Sequence, residues 1–248
     1  MTKILLCGCS GKMGHAVYNA TLLRDDCEIT AGVDIFQKEL SYQTFTCFSD
    51  VNVDVDVIID FSNPLILDDL LSFAKEKKIP CVICTTGFSE NQVKQIESAS
   101  KEIPIFYSGN MSLGINVLIE LCKKAASVFS NQFDVEIIEK HHNTKIDAPS
   151  GTALMIADSI SEVLPDKQYV YDRHSYRKKR DINEIGIHSV RGGNIVGEHE
   201  VIFAGHDEVV SIKHEAFSKD VFAVGAVNAA IFIKDKQPSM YQMSDMLK

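Results

Sequence analysis

Apolar and polar positions follow two different rhythms along this chain. Up to about residue 108, short runs rich in β-branched and aliphatic residues (KILLCG, EITAGVD, VDVIIDF, IPCVICTT and IPIFYS) alternate with longer stretches, MGHAVYNATLLRDD, PLILDDLLSFAKEKK and SENQVKQIESASKE. In these stretches apolar residues recur at helical spacing, with charges on the opposite face. Near-continuous apolar strands separated by amphipathic helices predict a parallel sheet covered on both faces, joined by right-handed crossovers. After the helical stretch LGINVLIELCKKAASVF the rhythm changes to longer strands with fewer helices: FDVEIIEKHH, EIGIHSVRGG, NIVGEHEVIFAG and EVVSIKHEA, with RGGN and GHDE as turns. This second part predicts a smaller α+β domain with a mixed or antiparallel sheet, crossed by one helix from Ser150 to about Leu164. The closing KDVFAVGAVNAAIFIKDK is helical in period and apolar enough to dock back on the first domain. The expected division is therefore 1–112 with 219–248, and 113–218.

Composition narrows the function. With 248 residues, 45% of them hydrophobic, the chain can fill one large or two modest cores. A net charge of -9 argues against a general nucleic-acid binder, which needs a basic surface to release counterions from phosphates. Seven cysteines, an odd number mostly in apolar runs, resemble buried thiols of a reducing compartment more than a disulfide framework. CVIC, Cys81 to Cys84, has redox-motif spacing, but strand geometry points its two thiols to opposite faces. The N-terminal apolar run is too short for a signal peptide, and no run approaches a membrane span, so no membrane association and a cytoplasmic location are expected. The polar segment from Pro165 to Ile182, with RKKR at Arg177 to Arg180, is the one long connection. Its basic residues read as a solvated turn, or as a border of the active site or of a subunit contact.

GCSGKMG, Gly8 to Gly14, lies between a strand and a helix, where glycines permit a tight turn and let backbone amides approach a pyrophosphate. Its GxxGxxG spacing is one residue longer than the usual fingerprint. Asp34 ends the next strand, twenty residues beyond Gly14, where a carboxylate accepts both hydroxyls of an adenosine ribose. This points to a Rossmann-like α/β domain binding a dinucleotide. Ile35 rather than arginine follows Asp34, which favours NADH; Lys12 and Lys38 keep NADPH open. DFSNP, CTTGF and YSGNMSLGIN end the later strands, at the edge where open parallel sheets bind ligands.

The stretch EKHHNTKIDAPSGTAL, Glu139 to Leu154, gathers two histidines, a lysine and a helix start. The SGT segment offers backbone amides and a dipole end to a carboxylate, Lys145 adds a cation and Thr152 a hydroxyl. His141 and His142 point to opposite sides of an extended strand, and a histidine is suited to donate a proton near neutrality. Adjacent histidines with no third ligand at suitable spacing make a metal site the weaker reading. Asp147 reads as a partner of Lys145 or of a backbone amide.

In order and spacing, GCSGKMG, DFSNP, TTGF, NMSLGIN, EKHHNTKIDAPSGTAL, SVRGGNIVGEHEV and FAVGA resemble the 4-hydroxy-tetrahydrodipicolinate reductases, long called dihydrodipicolinate reductases. The resemblance runs from residue 3 to about residue 234. It implies a nucleotide-binding domain closed by the last helices, a central substrate domain whose sheet builds a homotetramer, and hydride transfer from NAD(P)H to C4 of a cyclic dicarboxylate followed by protonation at C3. Carried across residue by residue, it implies His141 as proton donor with Lys145, a carboxylate cradle of His142, Ser150, Gly151 and Thr152, and cofactor contacts from Gly8, Gly11, Lys12, Met13, Gly14, Asp34, Phe61, Thr85, Thr86, Gly87, Ser108, Gly109, Asn110 and Met111. Asn143 and Thr144 stand where a basic pair is common, and Lys219 where an arginine is common. An aspartate dehydrogenase-type enzyme and a non-catalytic sensor of NAD(H) and a dicarboxylate are the alternative readings.

Overall fold

A computed structural model describes residues 1–36, 38–175 and 177–247. Two compact units emerge, Met1–Ser112 with Asp220–Lys248, and Leu113–Lys219, so the second boundary falls one residue later than expected, after Lys219.

In the first unit β1 (Thr2–Cys7), α1 (Lys12–Thr21), β2 (Cys27–Val33), β3 (Gln43–Phe45), β4 (Val57–Asp60), α2 (Leu67–Lys77), β5 (Cys81–Ile83), α3 (Glu90–Ala99) and β6 (Pro104–Tyr107) follow one another in sequence. Every strand pairing is parallel, and the order is β3-β2-β1-β4-β5-β6 with one further strand beyond β6. Alternate residues of β1 feed two layers: Ile4 and Leu6 pack with one core, Leu5 and Cys7 with the other. Burial on both faces explains why these strands read as continuous apolar runs rather than as alternation. Six of the seven cysteines are buried, and all seven are free thiols. Cys81 and Cys84 stand in different cores, as opposite strand faces require.

The second unit contains α4 (Leu113–Phe129), β7 (Asp134–His141), α5 (Gly151–Val163), β8 (Gln168–Val170), β9 (Glu184–Arg191), β10 (Gly197–Ala204) and β11 (Val209–Ala216). Its sheet order is β11-β10-β7-β9-β8. It is mixed: β7, β9 and β8 run parallel, while β10 is antiparallel to both β7 and β11. Buried residues of α4 and α5 form one core with Val135, Ile137, Ile185, Ile187, Val201 and Phe203 of the sheet. GHDE closes the β10–β11 hairpin, with Gly205 N–H donating to Glu208 O at 2.9 Å. RGGN does not make a hairpin. It carries the chain across the end of β7, because β9 and β10 flank that strand, and Gly192 N–H donates to His141 O at 2.9 Å.

The chain then re-enters the first unit through α6 (Asp220–Ile233) and β12 (Ser239–Tyr241). α6 is buried along Ala223, Ala226, Val227, Ala229, Ala230 and Ile233. A Cβ at Gly225 would lie 1.7 Å from Met111 O, so glycine there lets the helix press against the loop after β6. β12 extends the parallel sheet beside β6. β3, β8 and β12 have three residues each and lie at sheet edges. None is announced by the polar pattern, since an edge strand this short needs no apolar run.

Candidate active site

Each unit carries its own cluster of the expected residues. In the first, the turn after β1 begins at Gly8, whose φ of +75° belongs to the left-handed region and whose missing side chain would otherwise meet Phe61 O at 2.4 Å. Gly11 is the N-cap of α1, and Lys12 begins the helix exposed. Met13 is partly buried and packs on the core, as does Phe61; Gly14 is buried against the turn, where a Cβ would meet Gly8 O at 2.4 Å. Asp34 is tied to this turn: its Oδ2 accepts from Ser10 N–H and its Oδ1 from Phe36 N–H, each at 3.0 Å. Ser10 Oγ donates to Phe36 O at 2.8 Å and Lys38 Nζ to Ser10 O at 2.9 Å. The acid and the glycine turn are therefore one assembly. They open on a cavity of about 720 Å³ whose lining includes Gly8, Gly11, Asp34, Phe61, Ile35, Phe36, Ile66 and Phe73, with Asp69 and Glu76 among its acids. The size, apolar walls and fixed carboxylate fit an adenosine half of a dinucleotide.

The remaining expected contacts follow the carboxyl ends of β5 and β6 and are not among the lining of that cavity. Ser62 N–H donates to Thr85 Oγ1 at 2.9 Å and Ser62 Oγ donates to Asp60 Oδ1, which ties the loop after β4 to the loop after β5. Burial pushes the Asp60 carboxyl up, against hydrogen bonds from Ser62 and Thr85. Thr86 and Gly87 are exposed, and Gly87 has a φ of +84°. After β6, Asn110 N–H donates to Ser108 Oγ at 3.3 Å and Ser112 N–H to Asn110 Oδ1 at 2.8 Å, with Gly109 exposed between. Met111 is 4% exposed and its side chain belongs to the core, so only its backbone is available to a cofactor.

In the second unit the alternation of β7 decides the chemistry. Val135, Ile137, Glu139 and His141 all occupy its buried face. Glu139 is fully buried and accepts from Arg191 Nη1 and Nη2 at 2.8 and 2.7 Å, from Ser150 N–H at 3.1 Å, and meets His141 Nδ1 at 2.6 Å. Burial by itself raises its pKa, but the hydrogen bonds from Arg191, Ser189, His141 and Ser150 hold it down at about 2. Burial pulls the His141 imidazole below its ordinary value; Glu139 opposes this, while Lys145 and Arg191 add to it. His142 follows the end of the strand and is partly exposed, its Nδ1 2.7 Å from Thr144 Oγ1. Lys145 Nζ stands 2.8 Å from Asp147 Oδ1.

α5 starts beside this group. Ser150 is its N-cap, accepting from Ala153 N–H at 3.2 Å, and its Oγ is 3.1 Å from His199 Nε2. At 2% exposure, with its amide on Glu139 and its hydroxyl between Ala153 N–H and His199, Ser150 fixes the helix start. Gly151 is exposed and Thr152 partly exposed. The Asp147 carboxyl is held below the usual range by the Lys145 ammonium beside it.

The sequence reading assigned no role to Glu139, Arg191 or His199. The signal for Glu139 was present, since a carboxylate at an inward position of an alternating strand must find a cation or several donors. Arg191 and His199 become visible only through register: His141 pairs with Arg191, and Glu139 with His199. Burial pushes His199 down to about 3, so its ring is neutral. No cluster of three metal-ligating side chains occurs among the described residues.

Comparison with known proteins places this geometry. Residues 2–111 match the family described as dihydrodipicolinate reductase, N-terminus, and residues 114–247 the family described as dihydrodipicolinate reductase, C-terminus. The 4-hydroxy-tetrahydrodipicolinate reductase of Caldanaerobacter subterraneus subsp. tengcongensis is 52% identical over 100% of this chain and 99% of its own length. That of Clostridium tetani is 49% identical over 100% and 97%. In fold, the chain resembles a dipicolinate-bound dihydrodipicolinate reductase from Paenisporosarcina sp. TG-14, with a TM-score of 0.82, 24% identity, and coverage of 98% and 97% of the two chains. A probable dehydrogenase from Thermotoga maritima follows with a TM-score of 0.65 at 11% identity, covering 98% and 92%. With both halves matched and half of its residues shared with full-length relatives, the chain belongs to the dihydrodipicolinate reductase family.

Proposed function

We propose that this chain catalyses the NAD(P)H-dependent reduction of 4-hydroxy-tetrahydrodipicolinate, by way of its dehydrated form, to tetrahydrodipicolinate in diaminopimelate and lysine biosynthesis. The observation that carries the reading is local: within Glu139 to Leu154, in a chain of this family, an acid-capable imidazole, a lysine and the amino end of a thirteen-residue helix are gathered. A cyclic dicarboxylate needs cationic or amide-rich seats for its carboxylates and a proton for its reduced carbon, and these groups supply both. Lys145 and the Gly151 and Thr152 end of α5 receive a substrate carboxylate in exchange for that of Asp147, and His142 lines the same entrance. His141 donates the proton to C3.

The glycine turn, Asp34, and the loops at Phe61, Thr85 to Gly87 and Ser108 to Met111 hold the dinucleotide, which when bound supplies the hydride for C4. NADH is the favoured donor. Asp34, Asp69 and Glu76 line the same cavity, where a 2′-phosphate meets repulsion, and Lys38 is engaged with the Ser10 carbonyl. The aspartate dehydrogenase and sensor readings are not favoured by the family membership. The active form is a homotetramer; the sheet face of the second unit turned away from α4 and α5 carries Ile138 and Ile202 among charged residues and supports that assembly.

The test is oxidation of NADH and NADPH with substrate made in place from pyruvate and aspartate semialdehyde by the preceding synthase. The expected result is turnover with NADH at least as efficient as with NADPH. A folded, dinucleotide-binding protein that oxidises neither would overturn the assignment.

A further inference from the structure

A buried carboxylate stands behind the imidazole that the proposed reaction uses, and nothing in that reaction requires it to touch substrate. We propose that Glu139, clamped by Arg191, is a positioning residue that fixes the tautomer and direction of His141 so that Nε2 is the nitrogen presented for proton transfer. This inference rests on the reading of His141 as proton donor.

The geometry is specific. Glu139 and His141 are two residues apart on one strand, on the same face, and their contact commits Nδ1. Among the described residues no hydrogen-bond partner meets Nε2. Gly197 keeps space beside that atom, since a Cβ there would lie 3.2 Å away. Arg191 grips both oxygens of Glu139 and also donates to Asp147 O at 2.5 Å, so the same guanidinium braces the turn that carries Lys145. The charged and titratable groups facing His141 are Glu139 on its own strand, Lys145 on the following turn, Arg191 at the end of β9 and His199 on β10, whose ring centroid is 5.2 Å away. Beyond His199, in register, stands His214. α5 contributes no acid in its first turn. Among the described residues Glu139 is the anion in direct contact with the His141 ring, amid the cations of Lys145 and Arg191 and the neutral ring of His199, and it stabilises the imidazolium that must form before each transfer.

In the step itself, the N–H bond at Nε2 breaks, a C–H bond forms at C3 of the reduced substrate, and the ring is left neutral with its proton on Nδ1, still donated to Glu139. Solvent then returns the proton to Nε2. Without the carboxylate the imidazolium is less favoured, so activity that falls as pH rises through the His141 pKa falls at lower pH.

Two measurements decide it. Nitrogen-15 NMR of His141 in the unaltered protein is expected to show the Nδ1–H tautomer when the ring is neutral; an Nε2–H tautomer overturns the proposal. Steady-state pH profiles of wild type, Glu139→Gln and His141→Gln are expected to show kcat in Glu139→Gln reduced on the order of 10²-fold at neutral pH. Its KM should be little changed and the loss partly recovered toward acid. A Glu139→Gln enzyme with the wild-type kcat and profile, beside an inactive His141→Gln, overturns the positioning role alone. A fully active His141→Gln overturns the donor assignment beneath it. Should Glu139→Gln fail to fold because Arg191 is left buried without its anion, the tautomer measurement still decides.

Discussion

At the scale of single residues the cluster after β7 reads as competition between anions. Lys145 already holds the Asp147 carboxylate, and in the proposed reading a substrate carboxylate takes over that cation. Lys145→Ala removes the full charge of that seat, and a charge-assisted hydrogen bond contributes about 1.5–3 kcal/mol. We expect kcat/KM to fall roughly 10- to 100-fold, mostly through KM, in steady-state assays with the coupled synthase. In the proposed reading the charge of Asp34 acts on the cofactor by disfavouring a 2′-phosphate. Replacing Asp34 with serine keeps a hydrogen-bonding group and removes the negative charge, so the NADH to NADPH preference ratio should fall by about tenfold or more. An unchanged ratio would mean that Asp34 serves only to stitch Ser10 and Phe36 together.

At the scale of elements, the two sites are held by the ends of strands and the starts of helices. Ser150 both caps α5 and meets His199, so Ser150→Ala loses the cap, for which about 1 kcal/mol is typical, and leaves His199 without its Nε2 partner. A fall in Tm of several degrees is expected by circular dichroism. Gly225 is the corresponding point in α6. Its replacement by alanine drives a methyl group at the Met111 carbonyl, at a cost of about 1–3 kcal/mol, and displaces the Ser108 to Met111 loop. The variant should therefore show a raised KM for the dinucleotide, with a smaller change in the KM for the dicarboxylate; equal changes in both would place the loop outside the cofactor site.

At the scale of the whole molecule, stability should depend steeply on acid. The folded-state pKa of His199 lies near 3, against 6.5 for an ordinary histidine. The unfolded chain therefore binds a proton that the folded one refuses between those values, and stability is lost as pH falls from about 6.5 toward 3. Glu139 adds to this lower down, because its folded pKa of about 2 is depressed from 4.5 and its contribution is lost as pH falls through that range. Urea unfolding across this span should show the free energy of unfolding falling with acid. His199→Gln should flatten the slope between pH 6.5 and 4; the same slope in the variant would show that another group governs it.

Periodicity alone was enough for the two-part architecture, because a strand buried on both faces must be apolar throughout, whereas a strand with one wet face must alternate. The glycine turn, Asp34, and the His141 to Thr152 segment were legible because each is local in sequence, and backbone direction and helix ends follow from neighbouring residues. Tertiary structure alone decided that RGGN spans the end of β7 instead of closing a hairpin, and that three short edge strands complete the sheets. It alone brought Arg191 and His199 to Glu139, from fifty-two and sixty positions further along the chain. Strand register is set by the packing of whole faces, and no window of sequence contains it. The buried carboxylate at Glu139 announced that a partner must exist; only the folded sheet determined that the cation gripping it is Arg191.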